Sequence, residues 1–206
     1  MTTTTALPRP YVAQGARAEY DAFADLVASL SDTEWKTPSR CDGFDVRDVA
    51  GHVIGLAEDV AAGKPGSRNA EEEAASVRDD TPAQAAARLR TALEPIGALL
   101  DAADDATWAA PVGVNDLTLG EGVLLLWYDV YVHADDIRAA IGRPTQRTEG
   151  LNAAVAYLVG ELDKGGFDTE QIRLDDIDHH EFVLVATGRA DAGALGLDPS
   201  VNIYAE

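Results

Sequence analysis

Cysteine and basic residues are scarce in this chain, and each scarcity excludes a class of protein. Cys41 is the single cysteine, so no disulfide can form within the chain and nothing indicates an oxidising compartment. The 206 residues include 16 Lys or Arg against 36 Asp or Glu, which gives a formal net charge of −20. A surface of that sign repels phosphate, and no basic cluster offsets it locally. We therefore expect no nucleic-acid partner and no anionic membrane partner.

Long apolar runs are missing as well. No stretch approaches the ~20 residues that a membrane-spanning helix needs. Residues 1–10 form a Thr-rich polar tail without the basic and apolar regions of a signal peptide. Hydrophobic residues make up 46% of the chain, enough for a sizeable core in a protein of this length. The sequence therefore predicts a cytoplasmic protein of one domain, or of one domain with a small appendage.

What the chain does contain is alanine-rich, helix-favouring sequence interrupted by Gly and Pro. Thr81 before Pro82, and Thr118 before an apolar stretch, are typical helix starts. Pro95 is expected to kink or shorten the helix that contains it. The acidic stretch 64–80 predicts a loop, with or without a short helix. The predicted helices cover residues 11–30, 46–62, 82–103, 119–141 and 149–164.

The C-terminal part has a different pattern. The segments EFVLVAT (residues 181–187) and SVNIY (residues 200–204) predict two strands. Two strands alone are marginally stable, so these are expected to pack on the helices. We predict a mainly α fold in which residues 11–145 form a helical bundle. Residues 146–206 add a helix and a short αβ appendage, and residues 1–10 are a flexible tail.

Apolar residues in the fourth predicted helix recur at alternating steps of four and three residues, which is typical of the buried seam of a bundle helix. His133 falls on this seam, and Asp129 lies one helical turn before it on the same face. An imidazole and a carboxylate at that spacing can chelate one cation. Asp136 follows His133 by three residues and is a candidate outer partner of the site. The seam comprises Leu119, Val123, Leu126, Val130, His133, Ile137 and Ala140.

A second histidine, His52, lies on the inward stripe of the second predicted helix. A bundle would bring it towards Asp129 and His133. Two histidines and a carboxylate leave open positions for water or substrate, which suits a catalytic divalent metal better than a structural one. The alternative is a buried His–Asp hydrogen-bonded pair without a metal. His179 and His180 stand in an acidic run near the C-terminus and are expected to be loop residues. The stripe of His52 also contains Val49, Val53, Leu56 and Val60.

Other residues of possible chemical interest have alternative roles. Cys41 could be a reactive thiol, a fourth metal ligand or a small buried residue, and its position before the helix favours the last. Arg138 and Arg189 each suit either an anionic substrate or a salt bridge on this acidic protein. Trp35 and Trp108 are expected to plug the ends of the bundle.

Two stretches resemble a known family. WKTPSRCDGFDVRDVAGHVIGL (residues 35–56) is similar to the start of the mycothiol-dependent maleylpyruvate isomerases, members of the DinB-like metal-binding superfamily. LLLWYDVYVHADDIRAAIGRP (residues 124–144) resembles that family's second motif, and residues 186–204 resemble its C-terminal segment. The matching positions are Trp35, Pro38, Ser39, Cys41, Gly43, Phe44 and His52 in the first motif, and Asp129, His133, Asp136, Ile137, Gly142 and Pro144 in the second.

The resemblance implies a DinB-like up-and-down four-helix bundle in which His52, Asp129 and His133 bind one divalent ion, zinc being the expected metal. It implies an isomerase or transferase that activates a low-molecular-weight thiol, mycothiol or a relative, or water, against a small electrophilic substrate. Asp136 and Arg138 are candidate outer or substrate-binding residues. Asp129 stands where the isomerases carry the longer Glu. The competing interpretation is a non-catalytic small-molecule-binding or structural bundle with a vestigial metal site.

Overall fold

The computed structural model describes residues 7–114 and 116–205. Within these ranges the chain forms helices and 3₁₀ turns, with no β-strand. The first six residues of the predicted tail over 1–10 lie outside the described residues, and the first helix already begins at Arg9. The α-helices are α1 (Arg9–Ala28), α2 (Val46–Ala61), α3 (Ala70–Ala75), α4 (Pro82–Ala102), α5 (Asp105–Trp108), α6 (Leu119–Ala140), α7 (Glu149–Lys164) and α8 (His179–Ala186).

The five helices predicted from the sequence are confirmed as α1, α2, α4, α6 and α7. The stretch 64–80 contains the short helix α3, which the acidic pattern had left open. Pro95 does not shorten its helix, because α4 continues to Ala102. Helix α5 was not predicted; Asp104 caps this single turn by accepting a hydrogen bond from the Thr107 amide.

Helices α1, α2, α4 and α6 form a four-helix bundle. Both α1 and α2 pack against α4 and against α6. The bundle core is filled by apolar side chains from all four helices, as the spacing of apolar residues predicts. Its largest fully buried side chains include Trp127, Phe23, Ile54, Leu89 and Ile137. No helix among the described residues is both long and apolar enough to span a bilayer.

The C-terminal part adds a second helical layer, and the two predicted strands are wrong. Helix α7 packs on α6, and α8 packs on α7. Residues 181–187 lie mostly in α8, and residues 200–204 contain only the end of a 3₁₀ turn, Pro199–Val201. The Asp178 side chain caps α8 by accepting hydrogen bonds from two backbone amides. A short apolar run buried on several sides cannot be assigned to helix or strand from its periodicity.

The connections before α2 and α6 have the same form. In each, a proline makes an isolated antiparallel bridge with the residue that caps the following helix: Pro38 with Asp45, and Pro111 with Thr118. Asp45 and Thr118 then each form a reciprocal capping box with the third residue of the helix. These connections set where α2 and α6 begin, and those two helices carry the candidate ligands.

Replacing Gly15 with alanine is expected to destabilise the bundle, because a Cβ at this position in α1 would overlap the indole ring of Trp127 on α6. Trp127 is fully buried, so its ring cannot turn out into solvent without leaving the core. We expect a loss of about 1–3 kcal/mol in the free energy of unfolding, despite a helix-propensity gain of up to ~1 kcal/mol. Urea denaturation measures it. Gly160→Ala in α7 is the control, since a Cβ there meets nothing within 4 Å. Equal stability of the two variants would contradict the tight α1–α6 contact.

Candidate metal centre

His52 of α2 meets Asp129 and His133 of α6 in the bundle. One nitrogen or oxygen from each of the three side chains lies within 4.8 Å of the others. The Asp129 Oδ1 atom is 3.5 Å from His133 Nε2 and 3.8 Å from His52 Nε2. Ligand atoms bound tetrahedrally at ~2.1 Å stand about 3.4 Å apart, so these separations suit a shared zinc-sized ion. The structure thus brings together all three residues that the sequence singled out as ligands.

The orientation of both imidazole rings is set by carboxylates behind them. His52 Nδ1 is 2.7 Å from Glu73 Oε2, and His133 Nδ1 is 2.9 Å from Asp136 Oδ2. With a proton on each Nδ1, both Nε2 lone pairs are directed towards Asp129. A ring nitrogen held by a carboxylate while the other nitrogen is free is the usual arrangement of a metal-binding histidine.

Glu73 was missed by the sequence analysis because it belongs to an acidic run that reads as solvated surface. In the structure it is only 3% exposed, since α3 packs tightly against α2. A Cβ on Gly55 would overlap Glu73, and a Cβ on Gly51 would overlap Ala74. The only hint of this contact in the sequence is therefore the pair Gly51 and Gly55, one turn apart on α2, because glycines on one helix face allow another element to approach closely.

Asp136 is the centre of a buried charge cluster. It is fully buried and accepts hydrogen bonds from Arg189 Nη2 at 2.6 Å and Nε at 2.7 Å, and from Arg40 Nε at 2.5 Å. Arg40 also pairs with Asp135 at 2.7 Å, and Asp135 contacts His180 Nε2 at 3.0 Å. The cluster ties the C-terminal segment to α6, directly behind one of the two histidines.

The expectation for His179 and His180 is wrong, and the structure bears on the alternatives that the sequence left open for Arg189, Cys41 and Arg138. His179 and His180 open α8 and are not loop residues. Arg189 forms the salt bridge rather than standing free for an anion. Cys41 is half-buried with its Sγ 3.2 Å from Asp136 Oδ2, so it reaches the rear of the site. Arg138 donates to Gln146 at 2.8 Å and is not brought to the three candidate ligands.

The charges around the site strongly perturb its pKa values. Burial acts to lower the pKa of His52, but the carboxylates of Asp129 and Glu73 raise it by more, to about 10. Burial likewise opposes protonation of His133, yet Asp129 and Asp136 raise its pKa to about 9. Burial acts to raise the pKa of Asp129, but both histidines keep it below its usual value. The carboxylates around His52 and His133 thus favour a positive charge between them, either as protons on the two imidazoles or as a bound cation.

An unpaired acceptor supports a metal ion at this place. Asp129 Oδ2 is buried, and no described residue donates a hydrogen bond to it. An acceptor closed off from solvent without a donor is costly, and a cation beside the carboxylate relieves that cost. Two imidazole nitrogens and one carboxylate are also a donor set that catalytic zinc commonly uses. The residues present therefore fit a divalent ion.

Comparison with known proteins gives one family and one fold. The family described as the mycothiol maleylpyruvate isomerase N-terminal domain matches residues 16–138, a range that includes all three candidate ligands. No curated protein matches the chain.

The crystal structure of the mycothiol-dependent maleylpyruvate isomerase superposes with a TM-score of 0.63 at 16% identity, covering 79% of this chain and 72% of that one. A histidine-to-alanine mutant of that enzyme superposes with a TM-score of 0.58 at the same identity and coverage. The predicted mainly α, DinB-like fold is thereby confirmed.

Proposed function

This chain belongs to the mycothiol maleylpyruvate isomerase N-terminal domain family, and from that premise we propose that it is a metal-dependent enzyme of the thiol-dependent isomerase or transferase type. Its substrates would be a small electrophile and a low-molecular-weight thiol, mycothiol or a relative. The observation that carries the proposal is the pair of histidines whose Nδ1 atoms are held by Glu73 and Asp136 while both Nε2 atoms face Asp129.

His52, Asp129 and His133 would hold one divalent ion, for which zinc is the best candidate. Such an ion lowers the pKa of a bound thiol and holds it as the thiolate, which is the nucleophilic form. Three protein ligands leave at least one coordination position for that thiol or for water. The three side chains are each 15–19% exposed, so the site is not fully sealed from solvent.

The surrounding residues would keep the ligands in one arrangement. Glu73 and Asp136 fix the tautomer and the ring orientation of the two histidines. Arg189 and Arg40 hold Asp136 in place and offset its charge. We propose that residues 11–145 are the metal-binding bundle and that residues 146–206 serve it chiefly by supplying Arg189. A thiol cosubstrate requires a reducing compartment, which agrees with a cytoplasmic location.

The proposal is tested by combining zinc analysis with thiol-dependent turnover. We expect the purified protein to bind about one zinc per chain and to isomerise maleylpyruvate, or to couple a thiol to an electrophile such as monochlorobimane. Turnover should require mycothiol, fall on treatment with a chelator and return when zinc is added. Matched assays with glutathione and without thiol identify the cosubstrate. Stoichiometric zinc without turnover in any assay would instead indicate a binding module with a vestigial site.

A further inference from the structure

Six buried polar atoms on the facing helices α1 and α6 lack a hydrogen-bond partner among the described residues, and two of them concern the candidate metal centre. These two are the hydroxyl of Tyr20 on α1 and the Oδ2 atom of Asp129 on α6, and no described residue bonds to either. The Tyr20 residue is 5% exposed. Unpaired buried groups are rare in folded proteins, and each costs roughly 1–3 kcal/mol. A donor and an acceptor that are both unpaired in the same part of the core call for an explanation.

Tyr20 and the turn of α6 that precedes Asp129 border one cavity. Tyr20 and Leu126 line the same cavity of about 490 Å³, which also has walls from α2 and α4. Leu126 lies one helical turn before Asp129, on the same side of α6. Burial raises the pKa of Tyr20 well above its usual value, and the negative charges of Asp129 and Glu73 raise it further. The phenol is therefore close enough to Asp129 and Glu73 to be affected by the negative charge of their carboxylates.

We propose that Tyr20 is a positioning residue for Asp129, donating its hydroxyl hydrogen to Oδ2 when Oδ1 binds the metal. The inference rests on the proposed metal site. His52 and His133 each have an outer hydrogen-bond partner, Glu73 and Asp136, whereas no described residue bonds to Asp129 Oδ2. Carboxylates that ligate a metal are themselves normally hydrogen-bonded. A phenol supplies a neutral donor and adds no charge to the site.

Because its hydroxyl is buried, Tyr20 can position the Asp129 carboxylate but cannot act on the substrate itself. The Tyr20 oxygen is closed off from solvent, so neither substrate nor thiol can touch it. Its effect must pass through the Asp129 carboxylate. Neither group makes this contact in the structure. A contact that forms on metal binding therefore contributes to metal affinity and not to the stability of the protein stripped of metal.

The Tyr20→Phe variant tests this by removing one oxygen and keeping the ring. The metal-stripped variant should be as stable as the wild type or more stable, because an unsatisfied hydroxyl is lost. Its zinc affinity should nevertheless fall about 10–100-fold, the usual cost of losing an outer partner of a metal ligand. Urea denaturation measures stability, and competition with a chromophoric chelator measures affinity. The visible bands of the Co²⁺-substituted protein should also shift, which a purely structural role would not cause.

Tyr131→Phe provides the matched control. Tyr131 also has a buried hydroxyl without a partner, but the charges that raise its pKa after burial are those of Asp135 and Glu19. We expect a similar effect on stability, with unchanged zinc affinity and an unchanged Co²⁺ spectrum.

Three results would overturn the inference. Wild-type zinc affinity in Tyr20→Phe would leave the metal site in place and remove Tyr20 from it. Equal losses of affinity in both tyrosine variants would indicate a general effect of the core. Failure of the wild-type protein to take up zinc would overturn the metal site together with this role of Tyr20.

Discussion

The His52→Ala protein is expected to bind zinc far more weakly than the wild type, with a loss exceeding the ~10–100-fold that removal of an outer partner costs. His52 is the only candidate ligand on α2, so its removal leaves just Asp129 and His133 from α6. Two ligands on one helix cannot enclose an ion as three ligands on two helices do. Isothermal titration measures the affinity, and thiol-dependent turnover should disappear with the metal.

The same variant should lose the thermal stabilisation that zinc gives. An ion that binds only the folded state raises the melting temperature of the wild type by mass action, and His52→Ala should show no such rise. His179→Ala is the control, because His179 opens α8 and is not among the described His, Cys and carboxylate side chains that lie close enough together to share an ion. Wild-type zinc affinity in His52→Ala would show that the ligand assignment is wrong.

The affinity of the wild type should also rise with pH. With pKa values of about 10 and 9, His52 and His133 are both in the positively charged imidazolium form at neutral pH before the metal binds. Zinc must displace a proton from each, so its association constant should increase by up to about two log units per pH unit below these values. Isothermal titrations of the wild-type protein with zinc between pH 6 and 8 would measure this increase. Repeating them in buffers of different ionisation enthalpy would count the protons that zinc binding releases.

Asp136→Ala is expected to produce the largest loss of stability, about 3–5 kcal/mol. Asp136 is fully buried, and its removal leaves the guanidinium of Arg189, which is 13% exposed, without its counter-charge. Arg40 keeps Asp135 as a partner, but His133 also loses the carboxylate at its Nδ1. Urea denaturation measures the effect. Asp25→Ala, which breaks an exposed pair with Arg90, should cost at most ~1 kcal/mol.

Acid should weaken the wild-type protein through the same cluster. Burial acts to raise the pKa of Asp136, but Arg189 and His133 hold it far below its usual value. Asp135 has a pKa of about 2, because His180, Thr145 and Arg40 outweigh its burial. Depressed carboxyl pKa values stabilise the folded state above the unfolded pKa of ~3.9, and this stabilisation is lost as the pH falls. Unfolding free energies measured from pH 5 to pH 2 should therefore fall more steeply in the wild type than in Asp136→Ala.

Much of the bundle, and the meeting of His52, Asp129 and His133 within it, could be predicted from local sequence. The turn-length spacing of Asp129 and His133 places them on one face of a helix whatever the rest of the chain does. The inward stripe of α2 includes His52, so packing of two apolar faces was enough to predict that the three residues meet. The family motifs contain the same three positions. Each of these inferences needed only the geometry of one helix and the burial of its apolar face.

Only the tertiary structure decided which residues surround His52, Asp129 and His133. Glu73 comes from a run that is acidic throughout, and Arg189 from a segment 53 positions after its partner Asp136. The proposed pairing of Tyr20 with Asp129 would likewise join helices far apart in sequence. Periodicity determines which side of a helix is buried but not which side chain of another element faces it, because that depends on how the helices approach and cross. The apolar run of α8 was also undecided by periodicity, because a run buried on several sides has no polar face to reveal its period. Its helical structure was decided by packing against α7.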